Sequence, residues 1–198
     1  MKMNVLLAVI MTVAILLPVV ELTSVTAQEP ATYVGHSKCK MCHNSKQEGE
    51  IWNAWKAMKH ASAFEVLSSD EAVAIGKEKG LEKPPAEAPE CLRCHVTAFD
   101  VAAGQAPATI DKKDGVQCES CHGPASLHLE DGKRKKKGED VDITKNQTRP
   151  DVNDCIVCHN DQSPTWNTER YTLKDGTKAG FDFEQAWEKI KHGRPAEG

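Results

Sequence analysis

The chain has 198 residues and a formal net charge of −4, so its charge gives no indication of nucleic acid as a partner. Only 5% of the residues are aromatic, which makes a conventional apolar core thin for a domain of this length. Apolar material other than side chains is therefore expected to fill part of the interior.

The N-terminal segment, residues 1–27, has the features of a secretory signal peptide. Lys2 supplies a positive charge, residues 5–20 are an apolar run, and small residues precede Gln28. We predict cleavage before Gln28. The alternative is a membrane anchor, although the run is shorter than the ~20 residues that usually span a bilayer. In both cases the predicted domain, residues 28–198, is exported, and the periplasm is its predicted location.

All eight cysteines fall in four Cys-x-x-Cys pairs, and a histidine follows each pair directly. The pairs are Cys39 with Cys42, Cys91 with Cys94, Cys118 with Cys121, and Cys155 with Cys158; the histidines are His43, His95, His122 and His159. Cys-x-x-Cys-His is the attachment signal of c-type haem. The two thiols on one helical turn bond to the haem vinyl groups, and the imidazole binds the iron.

Three other roles of paired cysteines explain the pattern less completely than haem attachment does: disulfides, zinc knuckles and thioredoxin-like redox pairs. Disulfides are common in exported proteins but leave the four histidines unexplained. Zinc knuckles do not require a histidine after every pair, and a thioredoxin-like redox pair needs a βαβ context that the sequence lacks. The sequence therefore predicts four covalently attached haem c groups, around which the core is built.

Four further histidines are candidates for the sixth ligands of the irons: His36, His60, His128 and His192. After the N-terminal segment the only methionines are Met41 and Met58, and Met41 lies inside the first motif, from which it cannot reach around its own haem. Bis-histidine ligation is therefore predicted, which gives low-spin haems of low potential.

The first two candidates lie before and after the first motif in the sequence. His36 precedes Cys39 in a predicted loop and is expected to be a surface or supporting residue. His60 lies in a run, residues 50–67, whose apolar or aromatic residues recur at helical intervals. A histidine on such a helix in a haem-rich protein is predicted to be a ligand.

Two segments between the first and third motifs carry turn signals. Residues 81–90 are proline-rich and are predicted to be an extended link. Residues 98–115 contain glycine, proline and an Asp-Gly pair, which are compatible with a short hairpin.

His128 follows the third motif on what is predicted to be the same helix or its extension. The six residues from His122 span at most ~21 Å when fully extended, and far less in a helix at ~1.5 Å per residue. The chain would have to pass around the porphyrin rim to bind the same iron. His128 is therefore predicted to serve a different haem from that of His122.

Residues 133–137 (KRKKK) form a predicted basic loop flanked by glycines. Such a run is usually a solvated surface segment. The alternative is a docking patch for an acidic redox partner, since complementary charge accelerates association.

The last segment, residues 181–192, is predicted to be an amphipathic helix that ends in His192 before Gly193. His192 is predicted to be an axial ligand.

Taken in order, these features resemble the tetrahaem cytochrome c-554 family. The shared features are a first CxxCH, a tryptophan-bearing helix ending in His60-Ala61, a second CxxCH, and GVQCESCHGP with His128 downstream. The resemblance continues to His192. It implies a mainly α, compact multihaem cytochrome with few short strands, which carries electrons in the periplasm. It also implies a donor like hydroxylamine oxidoreductase and a membrane or soluble cytochrome as acceptor.

The resemblance further implies how the axial ligands pair. The implied pairs are His128 with His43, His60 with His159, and His192 with His122. The second haem, at His95, is implied to be five-coordinate. His36 stands where the family has a basic residue, so a sixth ligand from His36 is the alternative.

An electron carrier is the predicted function, because no constellation of acid, base and nucleophile stands out and the haems supply the chemistry. One alternative is a redox enzyme acting on nitric oxide or a hydroxylamine-type substrate at the second haem. Another is a subunit of an extracellular cytochrome filament. An uncleaved N-terminal segment would add membrane association to any of them.

Overall fold

The computed structural model describes residues 29–101, 107 and 109–193. Within that part, the residues from Ala31 onwards belong to one compact unit. The predicted signal segment and its cleavage point lie outside the described part of the chain. None of the helices in that part is long and apolar enough to cross a membrane.

The described part is mainly helical, which confirms the predicted fold class. Its α-helices, α1 to α8, are His36–His43, Ile51–Lys56, Asp70–Glu78, Pro89–His95, Glu119–His122, Ser126–Lys136, Val152–Ile156 and Phe183–Ile190. Three short 3-10 helices are Lys59–Ser62, Glu65–Ser68 and Lys112–Asp114. Strands β1 (Tyr171–Thr172) and β2 (Lys178–Ala179) form an antiparallel pair with Tyr171 opposite Ala179.

Local sequence explains where several helices begin. The side chains of Ser69 and Asp182 accept hydrogen bonds from the first turns of α3 and α8. Asp151 forms a capping box with Asp154 at the start of α7, and Pro89 occupies the first turn of α4. Each residue type satisfies or avoids an unpaired N–H group at a helix start.

The predicted helix carrying His60 ends earlier than expected. Helix α2 stops at Lys56, Met58 is extended (ψ 153°), and His60 lies in the 3-10 helix Lys59–Ser62. The carbonyl of His60 accepts a hydrogen bond of 2.9 Å from Val116 N–H. The same carbonyl also accepts the Ala63 N–H at 3.2 Å, an i→i+3 bond, so a 3-10 turn stands where an α-helix was predicted.

His128 lies on a different helix from the third motif, contrary to the prediction. Helix α5 ends at His122 because Gly123 has a φ of 72°, which favours glycine, and Pro124 follows. Helix α6 then begins at Ser126.

Four loop predictions are also corrected by the structure. His36 begins helix α1, and residues 81–90 form turns that lead into α4 instead of an extended link. The described residues of 98–115 contain the 3-10 helix Lys112–Asp114, capped by Asp111, and no hairpin. Residues 133–136 form the last turn of α6, where basic side chains interact favourably with the helix dipole.

The third motif and its flanks pack closely against other segments of the chain. Gly115 has a φ of 64°, and a Cβ added there would lie 2.6 Å from the His60 carbonyl oxygen. Trp55, which is buried, donates its indole N–H to the Val116 carbonyl at 2.9 Å. The close approach of these backbones explains the glycine before the motif.

Glu119, inside the third motif, is 2% exposed. Its carboxylate accepts hydrogen bonds from the backbone N–H groups of Val34 (2.9 Å), Gly35 (2.7 Å) and Ala125 (2.9 Å). One buried side chain thereby joins the segment before α1 to the segment before α6. Its loss would leave three backbone donors without partners.

Glu119→Ala is expected to lower the free energy of unfolding by about 3 kcal/mol, since unpaired buried donors and a lost charged acceptor are both costly. Denaturant unfolding of the haem-loaded protein, followed by circular dichroism, measures this change. Glu130→Ala is the control on α6: its exposed ion pair with Lys133 is expected to contribute less than about 1 kcal/mol. Equal losses in the two variants would contradict the role of Glu119.

Candidate metal centres

The four Cys-x-x-Cys-His motifs lie on helices or helix ends. The first motif is inside α1 and the second inside α4. In the third, Cys118 caps α5 and His122 ends it, and the fourth starts in α7 and ends in a turn. All eight cysteines are free thiols. The two sulfurs of each motif are therefore available to a single porphyrin.

Thiols of different motifs are close together. Cys39 and Cys118 share a hydrogen bond, which raises the pKa of Cys39 and lowers that of Cys118. Burial raises the pKa of Cys158 to about 12, with contributions from the neighbouring Cys94. These contacts join the first motif to the third and the second to the fourth.

A further contact joins the third motif to the fourth. Burial raises the pKa of Cys121 to about 11, with a smaller contribution from Cys155, and helices α5 and α7 pack together. The thiol contacts thus connect the motifs in the order first, third, fourth, second. This order differs from their order along the chain.

Three pairs of histidine rings face each other across short distances. Each pair joins one motif histidine to one of the further histidines: His43 to His128 with 6.1 Å between ring centres, His60 to His159 with 6.0 Å, and His122 to His192 with 5.9 Å. A metal ion bonded to one nitrogen of each ring at ~2 Å separates the ring centres by roughly 6 Å. These spacings therefore suit one metal ion between the two rings of each pair.

Backbone carbonyls contact the Nδ1 atoms of several of these rings. His122 Nδ1 lies 2.9 Å from Thr148 O, and His128 Nδ1 lies 2.9 Å from Ile143 O. Metal-binding histidines commonly donate one ring N–H to a carbonyl, which fixes the ring and leaves Nε2 for the metal. His43 differs, because its Nδ1 is buried and has no partner among the described residues.

Burial lowers the pKa of four histidines of these pairs, which are His43, His60, His122 and His159. In the first pair the neighbouring His128 ring adds to the lowering at His43. A depressed pKa favours the neutral imidazole, which is the form that binds a metal.

His95, in the second motif, has no facing histidine ring among the residues that the structure describes. Its Nδ1 lies 2.6 Å from the Ala63 carbonyl oxygen, so the ring is held as in the paired sites. His95 is therefore the histidine that would hold a metal at the second motif, and the described part of the chain places no second histidine ring opposite it.

His36 is held by other groups. Its Nδ1 accepts a hydrogen bond from the Trp52 indole N–H (3.1 Å), and its Nε2 lies 3.2 Å from a carboxylate oxygen of Asp114. Its ring also packs on Trp55, with 4.9 Å between ring centres. Both ring nitrogens of His36 thus have protein partners in this arrangement.

These residues fit haem c. The thiol pairs, the facing imidazoles and their carbonyl partners are the donor set that the group requires. Completely buried apolar side chains are few in the described part of the chain, as expected for an interior that porphyrins complete. The fold and the site together define a multihaem c-type cytochrome.

Comparison with known proteins shows what this chain is similar to. Residues 38–123 match the family "Cytochrome c554 and c-prime". Cytochrome c-554 of Nitrosomonas europaea is 26% identical over 184 residues, covering 81% of this chain and 74% of that protein. The reduced cytochrome c554 structure from the same organism matches with a TM-score of 0.46 and 26% identity, over 80% of this chain and 78% of that one.

The predicted resemblance to the tetrahaem cytochrome c-554 family is therefore confirmed. The same similarity indicates that this protein binds four covalently attached haem c groups and is an electron-carrying c-type cytochrome. The assignment of individual cysteines and histidines remains a prediction.

Sequence reasoning missed the groups that hold the ligands in place. Glu119 and Gln117 are 2% and 1% exposed, and the Gln117 side-chain oxygen accepts the His36 backbone N–H at 2.9 Å. Two polar residues beside a haem motif are a signal for such a role. The carbonyls of Thr148, Ile143 and Ala63 leave no sequence signal, since every residue has one.

Cys121→Ser tests the attachment assignment. One vinyl group of one haem in four should remain unreacted, which shifts that haem's absorption to longer wavelength in the alkaline pyridine haemochrome assay. Met41→Leu, inside the first motif but at an exposed position, is the control and should leave the spectrum unchanged. An unshifted Cys121→Ser spectrum with the full haem content would contradict the assignment.

Proposed function

We propose that this protein is a periplasmic electron carrier whose three facing histidine pairs bind the first, third and fourth haem irons from both sides. The observation that carries the proposal is the spacing of 5.9–6.1 Å between the rings of each pair. The haems supply one-electron chemistry when bound. The protein is proposed to receive electrons from an enzyme like hydroxylamine oxidoreductase and to pass them to a membrane or soluble cytochrome.

The histidine pairs suit electron transfer because the chain supplies both axial nitrogens. A site with two fixed imidazoles keeps its ligands in both oxidation states, so little rearrangement accompanies the change of charge. The carbonyls of Thr148 and Ile143 hold two of these rings in orientation. The connected order of the motifs brings the sites near one another.

His95 favours a second candidate function, a redox reaction of a small nitrogen species. The described residues provide His95 with no facing ring, and His36 is occupied by Trp52 and Asp114. A centre with one protein ligand leaves a coordination position for a small molecule. Nitric oxide and hydroxylamine-type molecules are the proposed class.

The oxidised protein is expected to give electron paramagnetic resonance signals of three low-spin haems and one high-spin haem. The reason is that three sites have two imidazoles and the second has one. Nitric oxide should abolish the high-spin signal and leave the low-spin signals in place. Four low-spin signals would contradict the open second site, and fewer than four haems by pyridine haemochrome would contradict the main proposal.

His128→Ala is expected to convert the first haem to a high-spin form, because His43 would lose its facing imidazole. Electron paramagnetic resonance should then show two high-spin haems in four. His36→Ala is the matched control, since both nitrogens of His36 contact protein groups, and it should leave the spin states unchanged. If His36→Ala also altered a low-spin signal, the ligand assignment would be wrong.

A further inference from the structure

The strongest feature not used by the four centres is a basic surface at the end of α6. We call residues 133–137 (KRKKK) the basic patch. Its five side chains are all solvent-accessible, and four of them form the last turn of the helix. Five positive charges in so short a segment repel one another, so their nearest acidic partners determine how much charge remains.

Neighbouring carboxylates compensate only part of the basic patch. Lys133 pairs with Glu130 at 3.3 Å, and Arg134 pairs with Glu139 at 2.7 Å. Lys135, Lys136 and Lys137 form no ion pair with any residue that the structure describes.

Asp142 provides weak compensation at longer range. Hydrogen bonds from Thr144 are the main reason that the pKa of the Asp142 carboxyl is lowered, and Lys135 and Lys145 add smaller contributions. The basic patch therefore keeps a net positive charge in solvent.

The basic patch lies beside the first motif. Lys136 Nζ is 3.4 Å from the Cys42 sulfur, although the two residues are 94 positions apart. His128, whose ring faces His43, is on the same helix, eight residues before Lys136 or ~12 Å along the axis. Next to Cys42, Met41 is 66% exposed. The uncompensated charges thus adjoin the attachment residues of one particular haem.

We propose that the basic patch and the exposed end of α1 form the docking surface for an acidic redox protein, which exchanges electrons with the first haem. This inference rests on the proposed carrier function and specifies the surface at which electrons enter or leave the protein. Opposite charge steers an acidic partner to this surface, and the contact between Lys136 and Cys42 places the first centre under it. The second motif, at the other end of the connected order, has no part in this surface.

The exchange moves one electron and no atoms. When the partner is the donor, its cofactor is oxidised by one electron and an iron of this protein goes from ferric to ferrous. When the partner is the acceptor, the reverse occurs. No bond forms or breaks, so the surface needs to provide only proximity and orientation.

An anionic lipid surface is a different target for a basic patch. A protein partner is favoured because the charges adjoin a haem attachment site. Electron exchange requires that proximity, whereas membrane adhesion does not.

The test uses the haem-loaded protein and a reduced flavodoxin with an acidic surface as the probe. Lys135→Gln, Lys136→Gln and Lys137→Gln are combined in one variant. The matched control combines Lys77→Gln, Lys79→Gln and Lys83→Gln, which removes three exposed lysines at and beyond the end of α3. The two variants have the same net charge, and equal full reduction by dithionite shows that their haems are intact.

At low ionic strength, the basic-patch variant is expected to bind flavodoxin about tenfold more weakly and to accept its electrons about tenfold more slowly. The control should resemble the wild type, and high salt should remove the difference. Carbodiimide cross-linking should join flavodoxin to Lys135, Lys136 or Lys137. Equal effects in both variants, or cross-links confined to other lysines, would overturn the proposal.

Two further measurements distinguish a failure of the docking inference from a failure of the proposed carrier function. Phosphatidylserine vesicles should not sediment the protein. If the wild type bound these vesicles and the basic-patch variant did not, while both bound flavodoxin equally well, only the protein-docking inference would be overturned. The carrier function itself would fail if dithionite left the haems of the wild type oxidised or if the wild type held fewer than four haems.

Discussion

The structure depends on bringing two imidazoles from distant parts of the chain to within about 6 Å of each other, three times. Each pair joins a histidine fixed by its motif to one held by a separate element: α6 for His128, a 3-10 turn for His60, and the segment just after α8 for His192. A chain with so few completely buried apolar side chains cannot hold such pairs by packing alone. Metal bonds and porphyrin contacts would add to the stability of the fold, so we expect cofactor binding and folding to be coupled.

Buried hydrogen bonds around the third motif hold the segments that carry the predicted metal ligands. Glu119 joins the approach to α1 with the approach to α6, which are the two helices that carry His43 and His128. The His60 carbonyl binds Val116 N–H just ahead of the same motif. One short segment, residues 115–119, thus contacts the parts of the chain that lead to His43, His60 and His128, which are predicted ligands of two different haems. Gly115 is needed because a side chain there would collide with the His60 carbonyl.

The chemistry of the sites could be predicted from sequence more fully than their geometry. The spacing of Cys-x-x-Cys-His is local, so its helical setting follows from the motif itself, and the separation of His128 from the haem of His122 follows from chain reach. The pairing of rings is a long-range property, and only the family resemblance indicated it. The predicted helix boundaries were wrong at His60, which lies in a 3-10 turn that also bonds to Val116, and at His128, because the backbone of Gly123 ends α5. His36 was expected in a loop, and its true setting depends on Trp52 and Asp114, which are distant in sequence.

The first and second motifs stand at the two ends of the series of thiol contacts, and their surroundings differ. At the first motif, two imidazoles face each other and uncompensated lysines adjoin the attachment site, so that end suits a protein partner and a fixed coordination. At the second motif, His95 is held by a carbonyl without a facing ring among the described residues, so that end suits a change of coordination. A small ligand at the second site would alter its potential without disturbing the surface at which partners dock.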